Sequence, residues 1–164
     1  MALNLDAKKA VVEEVSKYAA TAHSAVAAEY RGLTVSELTQ LRKTARETGV
    51  YLRVVKNTLA KRAVAGTEFE CMQDALVGPL LLGFSMEVPG SAARLFNDFA
   101  KTHDKLIAKV VAIGGQSFDG SELARLARLP TRDQGISMLM SVMKEPVQKL
   151  ARTLAALRDQ KQAA

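Results

Sequence analysis

The chain has 164 residues, 48% hydrophobic and 24% charged, a composition that supports one folded domain with an appendage and excludes intrinsic disorder. One Cys and two His exclude an internal disulfide framework and a Cys-based zinc site, and no apolar run reaches the ~18–20 residues of a membrane span. The net charge of +6 is uneven: zero over 1–28, +5 over 29–66 (eight basic against three acidic), −3 over 67–120 and +4 over 121–164. Such polarisation suits a polyanionic partner for the basic segment; a solvated charged face is the competing reading. The opening MALNLDAKKAVVEEV has the mixed charge of an amphipathic helix and not the pattern of a signal peptide, so a reduced, cytoplasmic, soluble protein is expected.

The first helix is expected over about 6–20, capped by Asn4 or Asp6. SAVAAEY, 24–30, reads as a buried strand ended by Arg31-Gly32. Thr34 and Glu37 form a capping box, in which each side chain satisfies an orphan amide of the other residue. The helix it opens runs to about Glu47 with Val35, Leu38, Leu41 and Ala45 on one face, and Gly49 stops it. Val50 to Val55 is a strand, followed by a helix capped by Asn57 or Thr58 and ending near Gly66. Thr67 to Glu70 reads as a second capping box, for a short helix ending near Leu76.

Gly78-Pro79 introduces the strand LLLGFS, and Pro89 suits the first turn of a helix to about His103. Lys105 to Ile113 is a further strand, Gly114-Gly115 a hairpin turn, and Ser121 the cap of a short helix ending at Leu129-Pro130. Four main strands alternating with helices predict an α/β sandwich. After Pro130 the texture changes. Ile136, Leu139, Met143, Val147, Leu150, Leu154 and Leu157 form one apolar stripe at steps of three or four. Pro146 predicts a kink, or two helices with a short break.

No GxGxxG, GxxxxGK or HExxH occurs, so no glycine loop for phosphates and no zinc-protease helix is encoded. His23 and His103 have no carboxylate at motif spacing, and Cys71 beside Phe69 and Met72 reads as a small buried hydrophobe. No catalytic residue, cofactor or metal is expected.

The basic segment carries the chemistry. In the strand 50–55, Val50, Leu52 and Val54 share one face, and Tyr51, Arg53 and Val55 the other, so Arg53 needs solvent or an anionic partner. Lys56-Asn57-Thr58 sits where the strand hands over to a helix. Free amides and the partial positive charge of a helix start, with a lysine beside them, make a workable phosphate site. Lys61 and Arg62 lie one turn further on. Ordinary capping is the competing reading.

RGLTVSELTQLRKTARETGVYLRVVKNTLAKRA, 31–63, resembles the corresponding run of the ribosomal stalk-base family, large-subunit ribosomal protein L ten. The likeness extends through VGPLLLGFS (77–85), PGSAARLFNDFAK (89–101), ARLARLP (124–130) and KLARTLAALRDQK (149–161), and the start fits the bacterial branch. It covers nearly the whole chain. The resemblance implies a ferredoxin-like α/β sandwich (α+β), residues 1–130, that binds large-subunit ribosomal RNA beside ribosomal protein L eleven. It implies a C-terminal amphipathic helical tail, 131–164, that carries dimers of the acidic stalk protein (L seven/L twelve), which recruit translational GTPases. It implies no enzymatic activity, a ribosome-bound protein, and translational autoregulation through the messenger leader. Carried over by residue, RNA contact falls to Arg31, Arg53, Lys56, Asn57, Lys61 and Arg62, and stalk-protein contact to Val147, Leu150, Leu154 and Leu157. The sequence departs from the family pattern at Gly135, at Val88 before Pro89, and at Pro146. A free-standing RNA-binding regulator and a small enzyme with a helical dimerisation tail are the alternatives.

Overall fold

A computed structural model describes residues 4–103 and 105–163. The chain divides into two units, 1–129 and 130–164. In the first, α1 (Leu5–Thr21) is capped by Asn4, whose Oδ1 accepts from the Leu5 amide at 2.9 Å. It leads into β1 (Ser24–Glu29), then α2 (Val35–Glu47), β2 (Val50–Val54) and α3 (Asn57–Val64). The expected Thr34/Glu37 capping box forms, with the Thr34 amide on Glu37 Oε2 at 2.7 Å. Then follow β3 (Leu80–Ser85), α4 (Ser91–Thr102), β4 (Ile107–Ile113), β5 (Gln116–Asp119) and the single turn α5 (Leu123–Leu126).

All strands pair antiparallel in the order β2-β3-β1-β4-β5. The first four reproduce the split βαβ order of a ferredoxin-like sheet, with α2 and α4 as the crossovers. These crossovers cover one face, where Leu41, Ala45, Ala92 and Phe96 meet Val26, Leu81 and Val111. On the other face, Val15 and Ala19 of α1 and Leu59, Ala63 and Val64 of α3 meet Ala25, Leu82 and Phe84. The central strands are therefore buried on both sides, which is why SAVAAE and LLLGFS read as unbroken apolar runs instead of alternating.

Several local expectations are corrected. Val35 is solvent-exposed, because the helix face that meets the sheet begins at Leu41. Lys56, not Asn57 or Thr58, is the N-cap of α3, and no side chain caps that helix. Thr67 to Glu70 leads only to a 3-10 turn, Glu70–Met72: the Glu70 amide bonds to the Thr67 carbonyl, the Thr67 hydroxyl accepts from the Phe69 amide, and the Glu70 carboxylate accepts from the Gly66 amide instead of from Thr67. Pro89 precedes α4, its carbonyl accepting from the buried Ser24 hydroxyl at 2.6 Å. Ser121 lies inside a 3-10 turn, Gly120–Glu122, before α5. The fifth strand was not foreseen. Gly114 and Gly115 both take positive φ (57° and 79°), the geometry of a tight hairpin turn, and so return the chain along β4.

The second unit is a single helix, α6 (Arg132–Ala163). Thr131 and Gln134 form a capping box at its start, with the Thr131 amide on Gln134 Oε1 at 3.1 Å and the Gln134 amide on Thr131 Oγ1 at 3.3 Å. Gly135 lies in its first turn, its amide bonded to the Thr131 carbonyl. The helix continues through Pro146 with no break in secondary structure, contrary to the two-helix alternative.

Candidate nucleic-acid interface

The sheet register gathers dispersed segments at one end. Glu29 at the end of β1 pairs with Leu80 at the start of β3 and Ile107 at the start of β4. Val54, ending β2, pairs with Leu81. Residues just beyond these strand ends therefore meet there: Arg31, Lys56 and Asn57, the loop 76–79, and Lys105. Arg31 and Lys56 are exposed, and Asn57 is half-buried. Gly32, at φ 92°, turns the chain tightly after β1, and the Lys105 stem lies against it.

The uncapped start of α3 is the chemically active feature of this end. The first amides of a helix have no intrahelical acceptor. Here no side chain supplies one, and the Lys56 carbonyl is already taken by the amides of Leu59 and Ala60 at 2.8 and 2.9 Å. Free amides, the positive end of the helix dipole and the Lys56 ammonium suit an anion such as a phosphate. The Asn57 side chain is not a cap. Its Nδ2 donates to the Gly78 carbonyl at 2.9 Å, and Lys109 Nζ donates to the Val77 carbonyl at 2.7 Å. Together they hold the loop that forms the far wall of a shallow groove of about 470 Å³, lined also by Tyr30, Val55 and Thr58. A bulge between Ala27 and Ala28 leaves Lys109 without a partner on β1 and aims it at this loop. Lys105 and Lys109 were missed in the sequence, because they sit inside the net-acidic stretch 67–120.

On α3, Leu59, Ala60, Ala63 and Val64 are buried, Arg62 is exposed and Lys61 half-buried. Arg53 behaves differently from the other candidates. It points toward α1, as strand alternation requires, and finds its anion within the protein: it pairs with Glu14 and donates to Tyr51 Oη at 3.0 Å. Tyr51 donates to Glu14 Oε1 at 2.7 Å and stacks on Tyr18 with ring centroids 3.7 Å apart. The Tyr51 hydroxyl and then the Arg53 guanidinium hold the Glu14 carboxyl below its usual range. Burial and the Glu14 hydrogen bond raise the Tyr51 phenol. The Tyr51 and Glu14 hydrogen bonds raise Arg53 further.

The remaining candidate groups are dispersed. Cys71 is exposed, not buried as expected, because the 3-10 turn directs Phe69 and Met72 inward instead. His23 is exposed, and His103 stacks on Phe99 with centroids 4.2 Å apart. No group of three or more metal-ligating side chains converges among the described residues.

On α6, Val147, Leu150, Leu154 and Leu157 are 72, 62, 59 and 53% exposed, and Ile136, Leu139 and Met143 are exposed on the same stripe. Lys144, Lys149, Arg152 and Arg158 accompany it, all exposed, with Arg158 bonded to Asp159 at 2.9 Å.

Two family descriptions match this chain. The family described as Ribosomal protein L10 matches residues 3–101, and that described as Ribosomal protein uL10 C-terminal region matches 129–164. The chain is 67% identical to the large ribosomal subunit protein uL10 of Methylococcus capsulatus, over 100% of both chains. It is 62% identical to that of Thioalkalivibrio sulfidiphilus over 99% of both, and 54% identical to that of Legionella pneumophila over 98% of this chain and 97% of the relative. These relatives are structural proteins and not enzymes. At this identity, sustained end to end, the chain belongs to the ribosomal protein L10 (uL10) family.

Proposed function

We propose that this chain forms the base of the stalk on the large ribosomal subunit. The basic end of the first unit binds large-subunit ribosomal RNA beside ribosomal protein L eleven, and α6 anchors dimers of the acidic stalk protein (L seven/L twelve) that recruit translational GTPases. The observation that carries the reading is the pairing of two incomplete surfaces in one chain: an uncapped, lysine-flanked helix start at a basic sheet end, and a 32-residue helix whose apolar stripe is uncovered. Lys56 and the first amides of α3 take a phosphate, Arg31, Lys61 and Arg62 flank it, and Asn57 shapes the groove through the 76–79 loop. Arg53, tied to Glu14 and Tyr51, supports the strand end more than it reaches outward. On α6, burying Val147, Leu150, Leu154 and Leu157 against helices of the acidic protein removes an exposed stripe worth roughly 1.5–3 kcal/mol per leucine.

The test is binding of the full chain to transcribed large-subunit ribosomal RNA and, separately, to the acidic stalk protein. Arg31→Ala/Lys56→Ala is expected to weaken RNA binding and flatten its salt dependence while leaving the stalk protein bound. Leu150→Ser/Leu154→Ser is expected to do the reverse. An affinity of the Arg31/Lys56 variant for RNA equal to that of the unaltered chain, at both low and high salt, rejects the RNA assignment.

A further inference from the structure

We infer that α1 contributes a second stretch of the RNA-binding surface, through Lys8 and Lys9. The inference rests on the reading of the first unit as an RNA binder, and extends it to a helix whose segment of sequence, 1–28, carries no net charge.

The first turns of α1 lie against α3 and leave between them a groove of about 300 Å³, lined by Leu5, Lys8, Lys9, Val12, Leu59 and Arg62, with Glu13 at its edge. Its floor is apolar and unfilled: Leu5 is 62% exposed, although it stands beside the buried Leu59. Its rim is basic, three cations to one carboxylate, and Lys8, Lys9 and Arg62 are all exposed. None of the three forms an ion pair with a carboxylate among the described residues, in contrast to Arg53, which Glu14 neutralises one side chain further along α1.

Arg62 links this groove to the phosphate site, since both lie on α3, which starts at Lys56. An RNA strand held at Lys56 and the first amides of that helix can continue along it onto Arg62. There Lys8 and Lys9 stand on the opposite rim, and the sugar or base face of a nucleotide lies over Leu5 and Leu59. An acidic amphipathic helix is the other conceivable occupant, but such a helix docks through a row of anchors at i, i+4 and i+7. The cations of this groove instead continue the line of the phosphate site along α3 from Lys56 to Arg62, which favours an RNA strand over that helix.

The experiment uses the full chain and a transcribed large-subunit ribosomal RNA, titrated between 50 and 200 mM salt. Each phosphate contact contributes ~0.7–0.9 to the slope of log affinity against log salt. Lys8→Gln/Lys9→Gln is therefore expected to bind roughly tenfold more weakly at the low-salt end and to flatten the slope by about 1.5. Lys8→Arg/Lys9→Arg restores both, and Lys149→Gln/Arg152→Gln, with the same charge removed from α6, changes neither. An unchanged thermal midpoint in the Gln variant shows that the fold is kept. If Lys56→Ala weakens binding while the Lys8/Lys9 variant does not, the inference is overturned and the proposed function stands. If neither weakens it, both fall. Loss of acidic stalk protein with RNA affinity intact would give the groove to a protein partner and overturn the inference.

Discussion

Glu14 joins α1 to the edge strand β2 through two donors, Tyr51 and Arg53, and that makes it a pH-sensitive tie. Its carboxyl titrates below the ordinary 4.5, first because of the Tyr51 hydrogen bond and then because of Arg53. A carboxylate whose folded pKa is depressed stabilises the fold above its unfolded pKa, and loses that contribution as pH falls through the folded value. Glu37 acts in the same sense, held low by the Thr34 amide and then the Thr34 hydroxyl. Urea unfolding between pH 7 and 3 should therefore show stability falling below about pH 4.5, and Glu14→Gln/Glu37→Gln should flatten that fall. An unaltered pH profile in the double variant would remove both ties from the account. Packing sets a second residue-scale limit. A Cβ on Gly83 would come within 2.6 Å of Phe96 Cε2, in the layer between β3 and α4. Gly83→Ala is expected to cost about 1–3 kcal/mol by overpacking, read as a lower thermal midpoint. The alternation of β2 already showed which way Arg53 points. It could not show that Glu14 would be waiting there, because that pairing depends on how α1 lies across the sheet and leaves no local spacing signal.

At the scale of elements, patterns that a helix or strand satisfies within itself were readable, and those settled by neighbours were not. The Thr34 box, the Gly49 stop and the apolar strands follow from local chemistry and appear as expected. The polar β5, QSFD, of which only Phe118 is half-buried, carries no hydrophobic signal and exists because the two glycines fold it onto β4. The Thr67 box does not close because the Glu70 amide bonds to the Thr67 carbonyl and the Thr67 hydroxyl accepts from Phe69. In α6, Pro146 lacks the amide that would bond to the Val142 carbonyl, so that turn is the weakest in an otherwise continuous helix. Hydrogen exchange of the full chain should show residues 142–148 opening more readily than either flank, and Pro146→Ala should protect them. At the other end of the same helix, Thr131→Ala removes half of the capping box and should cost about 1 kcal/mol locally, seen as faster exchange of the first-turn amides. Which residues of the candidate interface come together was legible only in part. Lys56 and Asn57 are adjacent in sequence, but Arg31, Lys105 and Lys109 join them through strand register alone.

The molecule as a whole is two units with separate requirements, and that separation can be cut. The first has its own two-faced core, and the second has an uncovered stripe and no core. Truncation after Lys144 should leave the thermal midpoint of the first unit within a degree or two and abolish binding of the acidic stalk protein. A sharp loss of stability would mean that the stripe is covered by the first unit instead. The sheet order carries a further consequence, one of timing. β1 is the central strand, yet its hydrogen-bond partners are β3 and β4, so that Glu29 must wait for Ile107. At ~5–20 residues per second of synthesis, the strand SAVAAE leaves the ribosome roughly 4–16 s before β4 can close on it. Until β3 emerges, residues 1–79 contain no strand partner for it, and the edge that β4 takes stays open longest, although α1 and α2 can already cover its two faces. Stalled chains shorter than about 110 residues, in which the β4 edge of β1 is unpaired, should be the ones that chaperones retain.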